Sequence, residues 1–534
     1  MRKGNDVTGA KELAHRWVND HRDALSEWHR IIWDLAEPAW REYRSAAWFV
    51  DRLRQEGFEV EAGSAGMPTA FAARWVNGPG PTVAGYAEYD AVPGNCQAAS
   101  TRREPRPGLS EFAAGHTDPH SALGIGALAG ILATKHAMTA AGIPGSLRFF
   151  GEPAEKVQGS KLVHGLKGYY GGLDAIVSYH PFYMLPLCNT TRWDTHCGAY
   201  ASRIYSFICD EPETWPAAAS DSPIAAAHSA ARAPGANVAL FTMYSLTKAT
   251  TESMLAHSGG WSLNEAILTA GQATADNLPA HIAQINYAWR TPEIRMADAI
   301  LEVLDRNAEH AAAVGHCRLV KRWVSRTRPG VPNKVLAELT YRNLEAVGAP
   351  RYDASAVAVA QEIQRNLGLA PMAKPFLAAC ESLIEPAAAE AKLREQMPGW
   401  QSHWTSDDYV EMSWYAPTVR LYIARPMLAV PAGYGGYPAW VANALGGIAK
   451  CIDPTVQVAG KTIAGTLLDL LTRPDTLAAA RAEFEQRARG ARFVAPLLPP
   501  DFAPPIDYRW PEYATTARGH DWWIPAATEL AAPR

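Results

Sequence analysis

Residues 121–138, "SALGIGALAGILATKHAM", and 145–155, "GSLRFFGEPAE", decide the fold class. The first run is apolar on every side, with Lys135 and His136 held back to its end, which predicts a helix buried on all faces. The second opens on a glycine and closes on a polar cluster, Glu152 to Glu155, which predicts a short buried strand. Working outward, "PTVAGYAEYD" at 81–90 and "LDAIVSYHPF" at 173–182 are apolar runs of the same kind. The order is then strand, helix, strand, helix, strand, and the expected class is α/β, a sheet with helices on its faces. Ligand sites in such sheets gather beyond the carboxyl ends of the strands. Here those ends carry Glu88 to Asp90, Glu152 to Glu155, and His180.

Upstream, Trp17, Leu25, Trp28, Ile32 and Leu35 recur at helical spacing, so residues 11–56 are expected to form two amphipathic helices packed on the sheet. From 202 the texture changes to strand, polar stretch, Ala-rich helix and two more strands, "NEAILTAG" and "AQINYAWR", which predicts an inserted α+β domain. The expected organisation is a catalytic domain over 1–201 and 326–490, an insert over 202–325, and a Pro- and Trp-rich tail over 491–534. That tail contains "APLLPPDFAPPIDYRWPEY", which cannot be helical and is expected to wrap a surface of this chain or of a neighbouring subunit.

A chain of 534 residues can bury more than one core. With 50 Lys and Arg against 54 Asp and Glu, the net charge of -4 offers no general pull toward nucleic acid or an anionic membrane. No continuous apolar window has the length of a membrane span, and the first residues lack the apolar core of a signal peptide. A cytoplasmic protein acting on a small molecule is therefore expected, without a nucleic-acid or membrane partner. The 7 cysteines form no Cys-x-x-Cys pair, so neither a disulfide framework nor a zinc knuckle is expected.

Within "AAGHTDPHSALGIG" at 113–126, Asp118 and His120 stand at alternate positions just ahead of the predicted buried helix. With His180 they supply the three ligands that a hydrolytic metal site needs beside an open position. Alone, the His-x-Asp-x-His triplet reads equally as a hydrogen-bonded loop.

The motifs around it resemble a known family. "DLAEPAWREYRSA", "AEYDAVPG", "GEPAEK", "AHSAARAPGANVALF", "TAGQATADNLPAHIAQINYAWR" and "SDDYVEMSW" follow one another as do blocks of the dinuclear metal aminoacylase and peptidase family, in the branch of p-aminobenzoyl-glutamate hydrolase and the plant auxin-conjugate hydrolases. The resemblance implies a zinc-exopeptidase-like catalytic domain interrupted by a ferredoxin-like lid that dimerises. It places Asp118 where a bridging Cys is usual in the branch, His120 and His180 at ligand positions, and Glu155 at the general base. Lys156 stands where a carboxylate ligand is expected, and Pro438 in the slot of a final His. These two replaced ligands serve one metal of the pair, so the resemblance implies one divalent transition metal per chain, Mn, Zn, Fe or Co, with Lys156 standing in for the lost cation.

The remaining roles follow from the same comparison. Asp90 would orient a metal-binding His through its second ring nitrogen, or cap the turn before Pro93. Glu152 and Asp408 would support the ligands. His228 matches a lid histidine that reaches the partner's active site, and reads equally as a solvated helix-start residue. Asn277 and Arg290 match lid positions that hold a substrate carboxylate. The expected function is hydrolysis of a carbon-nitrogen bond in a small aromatic acid or its amino-acid conjugate, of the aminobenzoyl-glutamate or N-acyl amino acid type. The alternative is aminohydrolase chemistry that releases ammonia from an activated arylamine, as in 5-nitroanthranilate aminohydrolase, and a non-catalytic ligand-binding relative is a third reading. The expected assembly is a homodimer through the lid, or a higher homo-oligomer.

Overall fold

The computed structural model describes residues 7–182, 184–210, 234–255, 259–271, 279–489, 497–499 and 501–506, and the backbone of 513–516 and 519–522. Three helices lead in, α1 (Val7–Asp20), α2 (Arg22–Leu35) and α3 (Tyr43–Gln55), where the sequence predicts two. Helix breaks at Asp20 because Asn19, Asp20 and His21 carry side chains that compete for backbone groups, and His21 Nδ1 takes the Trp17 carbonyl at 2.8 Å. Only α3 lies on the sheet as expected; α1 packs on two later helices instead.

Strands β1 (Glu59–Ala62), β2 (Phe71–Val76) and β3 (Thr82–Ala87) come next, followed by α4 (His120–Ala141), β4 (Ser146–Gly151), α5 (Ser160–Leu166), β5 (Ala175–Phe182) and β6 (Thr190–Thr191). The chain leaves for the insert through β7 (Ala199–Ile208), α6 (Ala236–Met254), β8 (Ser262–Ala270), β9 (Ile282–Thr291), α7 (Ile294–Gly315) and β10 (Arg318–Thr327). It returns through α8 (Lys334–Val347), α9 (Ala354–Asn366), α10 (Pro386–Arg394), β11 (Thr418–Ala424), α11 (Ala439–Gly447), α12 (Ala449–Thr472) and α13 (Pro474–Ala488). A backbone hairpin, β12 (Tyr513–Thr516) with β13 (Gly519–Trp522), lies in the tail.

The catalytic sheet has seven strands in the order β1-β2-β4-β3-β5-β11-β6, with β3 parallel to β4 and β5, and β11 parallel to β5. Its central strands are buried almost without a break, because helices cover both faces. Helix α4 is apolar enough by length and composition to cross a membrane, yet 83% of its apolar window is buried, between the sheet and α12. Its glycines allow that closeness. A Cβ at Gly130 would sit 2.5 Å from Ile463 of α12, and one at Gly124 would sit 2.8 Å from the Glu88 carbonyl.

The insert is a four-stranded antiparallel sheet, β10-β7-β9-β8, with α6 and α7 packed on it around their own core. Its strands begin at Ala199 and end at Thr327, so the expected limits of 202 and 325 fall inside β7 and β10. From the tail, Leu498 and Phe502 are buried beside Trp40, Met67 and Leu162, and Arg326 donates to the Leu497 carbonyl at 3.1 Å.

Candidate metal centre

Three strand ends and one helix start meet at the carboxyl edge of the sheet. Glu88 is the first residue beyond β3, Glu155 and Lys156 lie just beyond β4, and His180 is on β5. His120 opens α4 directly after Pro119, whose fixed φ suits a helix start and whose carbonyl takes the first helical N–H groups, from Ala122 and Leu123. The turn that presents Glu155 and Lys156 is held between two left-handed residues, Ala154 at φ 57° and Gln158 at φ 51°. Non-glycine residues reach that region at a cost. Here the buried carboxylate of Glu42 holds the turn by accepting the Ala154 N–H at 2.7 Å.

The two histidines are oriented as metal ligands are. His120 Nδ1 lies 2.6 Å from Asp90 Oδ1, and His180 Nδ1 lies 2.7 Å from the Pro181 carbonyl. An N–H donated on that side leaves Nε2 of each ring as an acceptor facing the site, the second-partner arrangement usual for metal-binding imidazoles. Asp118 Oδ2 is 3.4 Å from His180 Nε2 and 3.7 Å from His120 Nε2. Burial opposes its charge, but His180 and Lys156 beside it hold the Asp118 carboxyl well below the usual range. The three expected ligands thus converge, and their chemistry fits a divalent transition metal.

Glu155 joins them, its Oε2 being 3.5 Å from His120 Nε2. Lys156 stands inside the cluster. Its Nζ donates to Asp118 Oδ2 at 3.0 Å and lies 3.1 Å from His120 Nε2, while its backbone N–H donates to Asp90 Oδ2 at 2.8 Å. Burial disfavours the ammonium, but Asp118, Glu155 and Asp90 outweigh that and raise its pKa above the ordinary lysine range. A fixed positive charge therefore sits where the resemblance expects a ligand.

Asp408 lies one layer out. Its Oδ1 accepts from Lys161 Nζ at 2.6 Å, and the same ammonium is 2.7 Å from Glu88 Oε1, so one buried cation bridges two buried carboxyls. Burial pushes both carboxyls well above their usual range, with Lys161 pulling the other way. Asp407, alongside, is bound by the buried Arg420, which also donates to Tyr86 and Ser178 at 2.8 Å and so ties this loop to the sheet. Glu152 does not reach the cluster. It accepts from Ser160 and Tyr170 and pairs with His164, anchoring the start of α5.

On the insert, Arg290 of β9 stacks over Tyr200 with 5.2 Å from guanidinium carbon to ring centre, and burial pushes the Tyr200 hydroxyl above its usual range, with Arg290 pulling the other way. His228 and Asn277 lie outside the described residues. Two adjoining cavities, of about 440 and 450 Å³, share Pro438, Ala439 and Asn443. The first opens on Asp118 and is mainly apolar, with Phe182, Leu428, Val441 and Leu445 in its wall.

Sequence reasoning passed over Glu88, Glu42 and Lys161. The signal for Glu88 was its strand-end position, already marked as polar; a lone Lys161 on a short helix carries none.

No family model matches the chain. One of the proteins that make up the p-aminobenzoyl-glutamate hydrolase of Escherichia coli K12 is 28% identical over 336 residues, which are 63% of this chain and 65% of that protein. The chain thus spans somewhat less than two thirds of that curated relative's length. The crystal structure of an aminobenzoyl-glutamate utilization protein from Klebsiella pneumoniae, 15% identical, covers 84% of this chain and 98% of that one with a TM-score of 0.50, which shows a common fold. A dinuclear metal-binding peptidase of the M20 family from Bacillus subtilis, 14% identical, covers 85% of this chain and 99% of that one with a TM-score of 0.45.

Proposed function

We propose that this chain, which shares its fold and its motifs with the aminobenzoyl-glutamate hydrolase branch of the metal-dependent aminoacylases and peptidases, is a cytoplasmic single-metal hydrolase of a carbon-nitrogen bond in a small aromatic acid or its amino-acid conjugate. The observation that carries the reading is the meeting of Asp118, His120, His180 and Glu155, with Asp118 opening onto a mainly apolar cavity. Asp118, His120 and His180 would hold one Mn, Zn, Fe or Co ion, which when bound supplies Lewis-acid polarisation of the scissile group and lowers the pKa of water. Seven cysteines held as thiols suit a reducing compartment.

The chain's own groups supply the rest. Asp90 fixes the His120 ring so that Nε2 faces the site. Glu155, 13% exposed, is close enough to the cluster to take a proton from the attacking water and pass it to the departing nitrogen. Lys156 places positive charge beside Asp118, where negative charge would gather in the transition state. Arg290, with Asn277 of the same lid, would take the substrate carboxylate, and His228 would reach across to a partner's site. An aromatic ring suits the cavity wall. Dimerisation through the lid is supported by its open edge strand β8 and by Val238, Phe241 and Ile267, which are 39%, 52% and 47% exposed.

The altered ligand set, Lys156 and Pro438, favours one second reading, hydrolytic removal of an activated aryl amino group as ammonia. Metal analysis of protein purified without chelator, combined with a screen of N-aroyl amino acids and aminobenzoic acids, tests both. Release of an amino acid or amine supports the first, ammonia supports the second, and a metal-free protein that turns over neither class removes both.

A further inference from the structure

We infer that Glu88 is a further metal donor of this centre, supplying from the end of β3 the carboxylate that the chain lacks at Lys156. The inference rests on the metal reading above and adds a residue to it. The Glu88 carboxyl is fully buried and its Oε2 lies 3.2 Å from His120 Nε2, accepting no hydrogen bond among the described residues. The donor atoms of Glu88, His120 and His180 all lie within 4.8 Å of one another. Because His120 Nδ1 is committed to Asp90, Nε2 turns a lone pair, not a hydrogen, toward that oxygen. Two such atoms held this close in a buried site are bridged either by a proton on the carboxyl or by a metal ion that displaces it, and His180 Nε2 with Asp118 Oδ2 repeats the arrangement at 3.4 Å. Two imidazoles and two carboxylates form a set that suits a divalent ion of five or six coordination, which keeps a position open for water.

The backbone is built for this approach. Gly124, one turn into α4 from His120, lies where a Cβ would come within 2.8 Å of the Glu88 carbonyl, so a side chain there would push the two ligand-bearing segments apart. Lys161 holds the other oxygen, Oε1, at 2.7 Å and leaves Oε2 facing the site. The neighbouring acidic group of Glu88, Asp407 and Asp408 takes no second ion in this scheme, since the Lys161 and Arg420 cations already lie against it.

The test compares metal binding in wild type, Glu88→Gln and Glu88→Ala by calorimetric titration with Zn²⁺ and by the visible spectrum of the Co²⁺-loaded protein. Gln keeps a group that can hydrogen-bond to His120 but removes the anionic donor. Affinity in both variants should fall by about 100-fold or more, the upper range for loss of a mere supporting partner, and the Co²⁺ bands should change. If Gln binds metal like wild type with an unchanged spectrum, Glu88 is only the partner of Lys161 and the inference is overturned, while the single-metal reading survives. A wild-type protein that binds no metal overturns both. Should the variants not fold, infrared spectra of ¹³C-glutamate-labelled Glu155→Gln protein decide: a glutamate carboxylate band shifted by metal supports Glu88 as donor, and an unshifted spectrum overturns it.

Discussion

Replacing Lys156 with Met removes a charge while keeping an unbranched chain of similar length, and it should tighten metal binding. The ammonium lies 3.0 Å from Asp118 Oδ2 and 3.1 Å from His120 Nε2, two atoms that a metal must share. A divalent ion about 2 Å from both donors could be no more than about 5 Å from the ammonium. Coulomb repulsion between a double and a single charge at ~5 Å is about 2 kcal/mol at the dielectric of water and about 7 kcal/mol at the effective value near a protein surface. With the Lys156 side chain 22% exposed, the effect should fall between those limits. Affinity should therefore rise at least about tenfold in Lys156→Met. The assay is chelator competition on metal-free protein, with the unfolding temperature recorded as a function of metal concentration, since a ligand that binds only the folded state stabilises it by mass action. At matched metal occupancy the same variant should turn over more slowly, because positive charge has been removed from the transition state. Unchanged or weaker metal binding with wild-type turnover would refute both halves of the argument and place the ammonium outside the working site.

Glu155→Gln should retain its metal while turnover falls by roughly two to four orders of magnitude, measured by product release at saturating substrate; near-normal turnover would move the base elsewhere. Phe241→Glu places a charge on the exposed face of α6 and should convert the expected lid dimer to monomer, read by light scattering; an unchanged mass would locate the contact on another surface. Asp453, on α12, has its carboxyl pushed up by burial to about 6, with Ser26 opposing and Asp23 adding. A carboxyl whose folded pKa is raised stabilises the fold at low pH and loses that benefit as pH rises from about 4 through 6. Asp453→Asn should accordingly gain about 2 kcal/mol at pH 8, after allowance for partial exposure, and nothing at pH 3, measured by urea unfolding.

What the sequence disclosed was whatever repeats along the chain or sits at the end of an element. The strands of the sheet and helix α4 were legible because uninterrupted apolar runs are what a parallel sheet covered on both faces requires. Asp118, His120, His180 and Glu155 were legible because each lies at the end or the start of such a run. The break after Asp20 was not, because a helix can stop and restart within one turn without disturbing its apolar spacing. Glu152 illustrates the opposite limit: it shares its strand end with Glu155, yet its carboxyl turns toward His164 and Tyr170, a choice made by α5 and not by the motif. Lys161 reaches Asp408 across 247 positions, and no local pattern announces such a pair.

The two departures from the motif pattern both bear on Asp118 and the cavity it lines. On one side Lys156 brings a single positive charge to Asp118. On the other, Pro438 stands just before α11 and lines the 440 Å³ cavity into which Asp118 also opens, so the position that the resemblance gives to a ligand His forms part of a mainly apolar wall. An ammonium carries half the charge of a divalent ion, and at equal distance stabilises developing negative charge half as much. The remaining barrier must be met by the substrate, through a leaving nitrogen that departs readily or a reacting carbon already poor in electrons. A ring bearing electron-withdrawing groups satisfies that need and fills an apolar cavity better than an aliphatic chain does. On the proposed single-metal reading, the same two positions would narrow the substrates toward activated aromatic acids.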